Sequence, residues 1–309
     1  MDHASALERF LKVIAIGLIL VFFLFPIFWI FLMSFQTNED ILRIPPSVFF
    51  TPTFSNYQAL ITGQLQSNAG NIDIAFMRNL WNSVLLSTVS VGLALILGVP
   101  AAYAFARYKF PLSEDIAFTL LSFRFAPPLL VLLPLSLYYQ QIGLTDTYAG
   151  LIWVYQLIAL PLILWIVRGY FEDISPDIES AYRVAGHSWF NTFARIAVPL
   201  AGPGIAAAGL LAFIFCWNNF VFALVLASAD KQPVTVGALA FVTASGIQYG
   251  QIAAAIVLSI TPTLAIALWA QRYLVEGLSL GAVNGSPRAS RIPRFSTTCR
   301  CRRTPARSW

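Results

Sequence analysis

An all-helical membrane protein that crosses the bilayer six times is the fold class this sequence predicts, and three observations carry it. Hydrophobic residues fill 58% of the 309 positions and charged residues only 11%, with a mean hydropathy of +0.73, far from the balance of a soluble domain. The apolar residues lie in several runs, each long enough to span a bilayer at about 20 residues per crossing. Between the runs, loops rich in Lys and Arg alternate with loops that are not, the pattern that sets orientation in a membrane. One membrane domain at 13–285 is expected rather than two soluble ones, with a short head at 1–12 and a tail at 286–309.

Taken in order, helix one covers 13–35, an uncharged run after Arg9 and Lys12. It is too long and aromatic, and lacks the small-residue cleavage pattern, to be a removed secretory signal. Residues 36–78 form a polar loop in which Glu39, Asp40 and Asp73 outnumber Arg43 and Arg78, as expected outside the cell. Helix two, 79–106, ends at Arg107 and Lys109, a basic pair marking a cytoplasmic edge, and Pro100 is expected to bend it. Helix three, 116–139, is interrupted by Arg124, Pro127, Pro128 and Pro134 and must be irregular. Asp146 lies in the outer loop before helix four, 147–167, which Arg168 closes on the inside. Helix five is 204–226. The outer connection 227–251 carries Lys231 and many small or β-branched residues, a composition compatible with a stretch that dips back into the membrane. Helix six, 252–271, contains Pro262 and ends at Arg272. Six crossings with Arg9, Lys12, Arg107, Lys109, Arg168, Arg183, Arg195 and Arg272 on one side place both termini in the cytoplasm.

The segment 175–200 is the long polar-rich piece that also reads as helix. Ser175 suits an N-cap, Pro176 the first helical position, and Asp177 and Glu179 the positive end of the dipole. Ile178, Ala181, Tyr182, Ala185 and Trp189 recur at helical spacing, with Glu179, Ser180 and Arg183 largely on other faces. Gly186 permits a turn, Ser188 can cap a second short helix carrying Phe190, Phe193 and Ala197, and Pro199 opens the next membrane run. The residues alone allow two readings: a docking unit for a partner, or an amphipathic helix lying at the membrane surface.

This segment resembles the cytoplasmic loop of the permease subunits of bacterial ABC importers, whose signature is Glu-Ala-Ala, three residues, Gly, then Ile-x-Leu-Pro. With Gly186 and Pro199 aligned, the family's Glu position holds Ser180, its Ala-Ala holds Ala181 and Tyr182, its Asp holds Ala185, and Glu179 stands one place early. Other pieces are similar to the carbohydrate-importing branch: Phe54-Ser-Asn-Tyr57, Asn82-Ser83, Ala102 to Arg107, Gly143-Leu-Thr-Asp-Thr147 and Trp217-Asn218. The resemblance covers nearly all of 10–285. It implies a type I importer permease fold in a bacterial inner membrane. It also implies ATP-binding cassette ATPase subunits, a second permease subunit expected to be non-identical, an extracytoplasmic solute-binding protein, and a sugar, oligosaccharide or polyol as cargo. Glu179, Ser180, Ala181, Tyr182, Gly186 and His187 then form the ATPase-coupling loop. The resembling permeases end near Gly-Ala-Val-Lys-Gly, here Gly281 to Gly285, so the Arg-, Pro-, Ser- and Thr-rich tail is an addition. It is expected to be disordered, either attracted to anionic lipid or incidental.

Chemistry beyond transport finds little support. No Gly-x-x-x-x-Gly-Lys-Ser/Thr run occurs, so ATP hydrolysis belongs to another chain. His3 and His187 make no metal pair or nucleophile–base arrangement, and Cys216, Cys299 and Cys301 support neither a disulfide frame nor a zinc site. No catalytic residue, metal or cofactor is expected. A net charge of +5 is explained by topology rather than by nucleic acid. Polar groups inside the runs are the informative ones, because each is costly in hydrocarbon. Arg124 either faces the translocation pathway or pairs with carbonyls freed by Pro127 and Pro128. Asn218 and Asn219 offer donors and acceptors to a polyhydroxy ligand, and Trp217 a ring face for a sugar, or all three serve as packing between helices. The alternative function, an ion-gradient-driven secondary transporter, needs buried carboxylates or an inverted repeat. No Asp or Glu falls within the six runs.

Overall fold

A computed structural model of the chain describes residues 6–44, 50–67, 70–73, 75–108, 111–243 and 246–284. His3, Lys109, Cys299, Cys301 and the 286–309 tail lie outside the described residues.

The first apolar run forms α1 (Ala6–Met33), which begins before the run does because Glu8 and Lys12 pair across one helical turn at 3.2 Å. From Val13 to Met33 it is uncharged, and among the described residues its main packing is along the last helix of the chain. The polar loop that follows holds α2 (Asn38–Leu42), α3 (Ser55–Thr62) and an antiparallel hairpin of β1 (Gln64–Ser67) and β2 (Gly70–Asp73). Asn56 ties that loop to the end of α1 by donating to the carbonyls of Ser34 at 3.0 Å and Gln36 at 2.8 Å.

The centre is a bundle in which α4 (Phe76–Arg107) runs against α7 (Tyr148–Asp173), with α11 (Gly202–Trp217) laid across both and α14 (Tyr249–Asn284) outside it. Their contact faces carry small residues: Ala94, Ala102, Ala159, Ala208 and Ala212 are fully buried. Lipid tails are as apolar as leucine, so helices in a membrane gain by close van der Waals approach rather than by escaping water, and small residues allow it. One close approach is at Gly204, where a Cβ would run into the Tyr170 ring.

Two expected helices are broken. Helix three is α5 (Ser113–Ser122) with a 3-10 turn at Phe123–Phe125, then α6 (Pro128–Ile142), bent by 94°. Pro127 and Pro128 offer no N–H and push the preceding residue to an extended conformation, and Ala126 has ψ 129. Helix five ends at Trp217; Asn218 and Asn219 interrupt it before α12 (Val221–Leu226). Four of the described helices are each long and apolar enough to cross a membrane, or up to 6 crossings if each bent pair is one span. The connection after α12 contains α13 (Val234–Gly237), a 3-10 turn at Ala238–Phe241 and a hairpin of β3 (Val242–Thr243) and β4 (Gly246–Ile247).

The two ends of the bundle carry separate polar networks. At one end, Asn82 donates to the carbonyls of Asp230 and Gln232 and accepts from Tyr148 at 2.9 Å. Arg78 pairs with Asp230 at 2.7 Å and Lys231 with Asp146 at 3.2 Å. Asp146 accepts from the backbone and side chain of Ser228, and those bonds hold its carboxyl below the usual carboxylate range. At the other end Arg168 bridges Glu114 and Glu172, and Arg107 meets the 175–200 segment.

Candidate functional site

The 175–200 segment folds as its local signals dictate. Ser175 Oγ accepts from the Asp177 amide at 3.3 Å and caps α8 (Pro176–Val184). Gly186 follows at φ +92, a left-handed conformation open to glycine and strained for other residues. Ser188 Oγ then accepts from the Asn191 amide at 3.3 Å, capping α9 (Trp189–Thr192). A π-helical turn at Phe193–Ala197 and the short α10 (Val198–Leu200) lead into α11 through a 71° bend. Tyr182 and His187 stack across the glycine turn with ring centroids 4.0 Å apart. The two-helix knob is the arrangement expected from its caps and its glycine.

The faces are informative. Ile178, Ala181 and Ala185 are exposed, as are Val184 at 89% and Phe190 at 66%, so the apolar side of the knob points away from the bundle. Glu179 alone in α8 is buried. Its Oε1 accepts from Arg107 Nε at 2.8 Å and Nη2 at 2.7 Å, and its Oε2 from the Tyr103 hydroxyl at 2.5 Å. Arg107 Nη2 also donates to the Ile174 carbonyl at 3.0 Å. A buried carboxylate is tolerated because each oxygen has a donor and its charge a counter-charge. Tyr103 in turn contacts Phe171, Trp189 and Phe193, with centroids 5.2, 5.8 and 4.9 Å away. On the sequence, Arg107 marks a cytoplasmic edge and, with Tyr103, lies in a stretch similar to the carbohydrate-importing branch, but neither is assigned a role there. Their i, i+4 spacing at a helix end was the available signal.

Of the residues expected along a pathway, Arg124, Asn218 and Asn219 come together around one cavity of about 360 Å³. Arg124 sits in the 3-10 turn before the proline break, its Cζ 4.0 Å above the Phe215 ring. Among the described residues it makes no hydrogen bond to the carbonyls near Pro127 and Pro128, and its Nη1 is buried without a partner. Asn218 terminates α11, its amide and Nδ2 both donating to the Ile214 carbonyl. The Asn219 carbonyl accepts from Thr235 Oγ1 at 2.9 Å, while its Oδ1 is buried and unpartnered. Trp217 is 5% exposed, stacks with Phe213, and faces a neighbouring cavity of about 470 Å³ that Asn218 also lines with Thr235, Ser259 and Thr263. No group of three or more His, Cys, Asp or Glu side chains is placed to hold a metal ion among the described residues.

Comparison with known proteins places this geometry. A family model described as binding-protein-dependent transport system inner membrane component matches residues 94–280, more than half of the chain. The trehalose transport system permease protein SugB of Mycobacterium tuberculosis is 35% identical over 276 residues, covering 87% of this chain and 95% of that protein. The trehalose/maltose transport system permease protein MalG of Thermococcus litoralis is 30% identical over 283 residues, covering 91% of this chain and 99% of that protein. A chain in the crystal structure of a bacterial ABC transporter involved in the import of the acidic polysaccharide alginate shares the fold, with a TM-score of 0.71 at 24% identity over 88% of this chain and 99% of that one. The chain therefore belongs to the family of binding-protein-dependent transport system inner membrane components, the permease subunits of ABC transporters.

Proposed function

We propose that the chain passes a saccharide, oligosaccharide or polyol inward across a bacterial inner membrane, driven by ATP hydrolysis on partner subunits. The observation that carries this reading is the knob of 175–200, which turns apolar side chains outward at one end of the bundle while a buried ion pair holds it from behind. A cluster of exposed apolar groups of this kind is the mark of an interaction site. Ser180, Ala181, Tyr182, Gly186 and His187 form the face gripped by an ATPase subunit, and Glu179 is turned inward beneath it. Arg107, Arg168, Arg183 and Arg195 share the knob's end of the chain, so that end is cytoplasmic, and both termini lie on the same side.

A second, non-identical permease subunit completes the pathway, and a solute-binding protein delivers cargo to the outer end. Transport proceeds by alternating access: closure of the ATPase pair moves the knob, and the broken helices around Arg124, Asn218 and Asn219 rearrange about the cargo. Interrupted membrane helices support such a role, because irregular backbone is tolerated at depth where it lines a cavity. The relatives named for trehalose, for trehalose and maltose, and for sulfoquinovosyl glycerol support a saccharide cargo.

The test is uptake of radiolabelled trehalose, maltose and sulfoquinovosyl glycerol by cells with and without this chain. Saccharide uptake that disappears with the chain, and with ATP, supports the reading. Uptake that persists when ATP is exhausted and collapses with the ion gradient contradicts it.

A further inference from the structure

We propose that Arg107 and Tyr103, at the end of α4, are positioning residues that pass movement of the knob into the membrane bundle, with Glu179 as the handle they hold. The inference rests on the docking role proposed above. Glu179 is the only buried residue of α8 and it is charged, so the helix is joined to the body by a carboxylate rather than by an apolar face. One guanidinium makes that joint and also bonds the carbonyl of Ile174, the residue that caps α7 just before the knob begins. The clamp thus spans the hinge and the helix beyond it. Tyr103, one turn earlier on α4, donates to the other carboxylate oxygen and packs on Phe171 before the hinge and on Trp189 and Phe193 after the glycine turn. Both limbs of the knob therefore meet α4 at two adjacent side chains. Along its length α4 packs against α7 and α11, the helices that line the Arg124 cavity. A displacement of α8 is delivered to α4 through charge-assisted hydrogen bonds, which resist both stretching and rotation. Without them, movement of the knob reaches the bundle only through the chain connections to α7 and α11, and α4 is not engaged.

The test reads coupling without a cargo. Ala126 lines the Arg124 cavity, and an Ala126→Cys chain in its purified complex is labelled with a maleimide, without nucleotide and with ATP plus vanadate, against the same chain lacking that substitution. In the parent complex the labelling rates of the two states differ by roughly tenfold, the scale of a typical coupling between sites. Arg107→Ala and Glu179→Ala are expected to retain the ATPase subunit and to hydrolyse ATP while the ratio falls to about one, and Arg107→Lys to restore part of it by keeping a donor and the charge. A parent-like ratio in both alanine variants overturns the proposal. So does loss of the ATPase subunit from both, since the outward face of α8 is unaltered in them. The docking reading fails separately, if Val184→Glu on that outward face leaves the ATPase subunit bound. The alternating-access reading fails if the parent labels equally in the two states.

Discussion

Arg124 lies at the break between α5 and α6, where its guanidinium meets a ring face and a cavity rather than a carboxylate. The planar guanidinium covers Phe215, a contact that a lysine ammonium makes less well. Arg124→Ala is expected to lower uptake by about tenfold at equal membrane abundance, with Arg124→Lys falling between it and the parent. Unchanged uptake in both variants removes the residue from the path. Gly204 offers a contrast in packing. A Cβ there runs into the Tyr170 ring, so Gly204→Ala is expected to lower stability by about 1–3 kcal/mol through overpacking. Thermal unfolding of the purified complex measures this, and Gly204→Ala paired with Tyr170→Ala is expected to recover much of the loss.

At the scale of elements, what the residues announced locally is what formed locally. Ser175, Pro176, Gly186 and Ser188 each specify a conformation within a turn of themselves, and the knob has the expected caps and bend. Gly186→Pro is expected to leave the chain inserted but to uncouple ATP hydrolysis from uptake, because φ +92 is closed to proline. Full ATP-driven uptake by that variant contradicts the docking role. Helix ends were less legible. Charged residues end an apolar run without ending the helix, so α7 continues past Arg168 to Asp173, held by the pairs of Arg168 with Glu172 and Glu114. The break at Asn218 was missed because asparagine stops a helix only weakly and Val221 onward is apolar again. The 228–231 loop has its own pH response. Asp146 has a carboxyl held below its ordinary value by Ser228, so the link is intact above the ordinary carboxylate pKa and is lost as pH falls through the lowered one. A spin label at Ala229 should gain mobility only below about pH 4, and in Asp146→Asn should be mobile already at neutral pH.

For the whole molecule, an apolar bundle separates two polar networks, one around Asn82 and Asp146 and one around Arg107 and Arg168. The sequence foretold the helical bundle from hydropathy, a signal summed over many residues. It could not foretell that Glu179 and Arg107, 72 positions apart, would meet, because nothing within a helical turn of either encodes the contact. The family resemblance implied a coupling role for the loop and included Glu179 in it, but the inward anchor that Glu179 makes is visible only in three dimensions.

The most direct measurement of the central claim is photo-crosslinking from Val184→Cys carrying a benzophenone, in inside-out membrane vesicles of cells that make the complete complex. Val184 is the most exposed large apolar residue of the knob. An adduct with the nucleotide-binding subunit whose yield changes on adding ATP and vanadate is expected. An adduct only with lipid or with the solute-binding protein contradicts it.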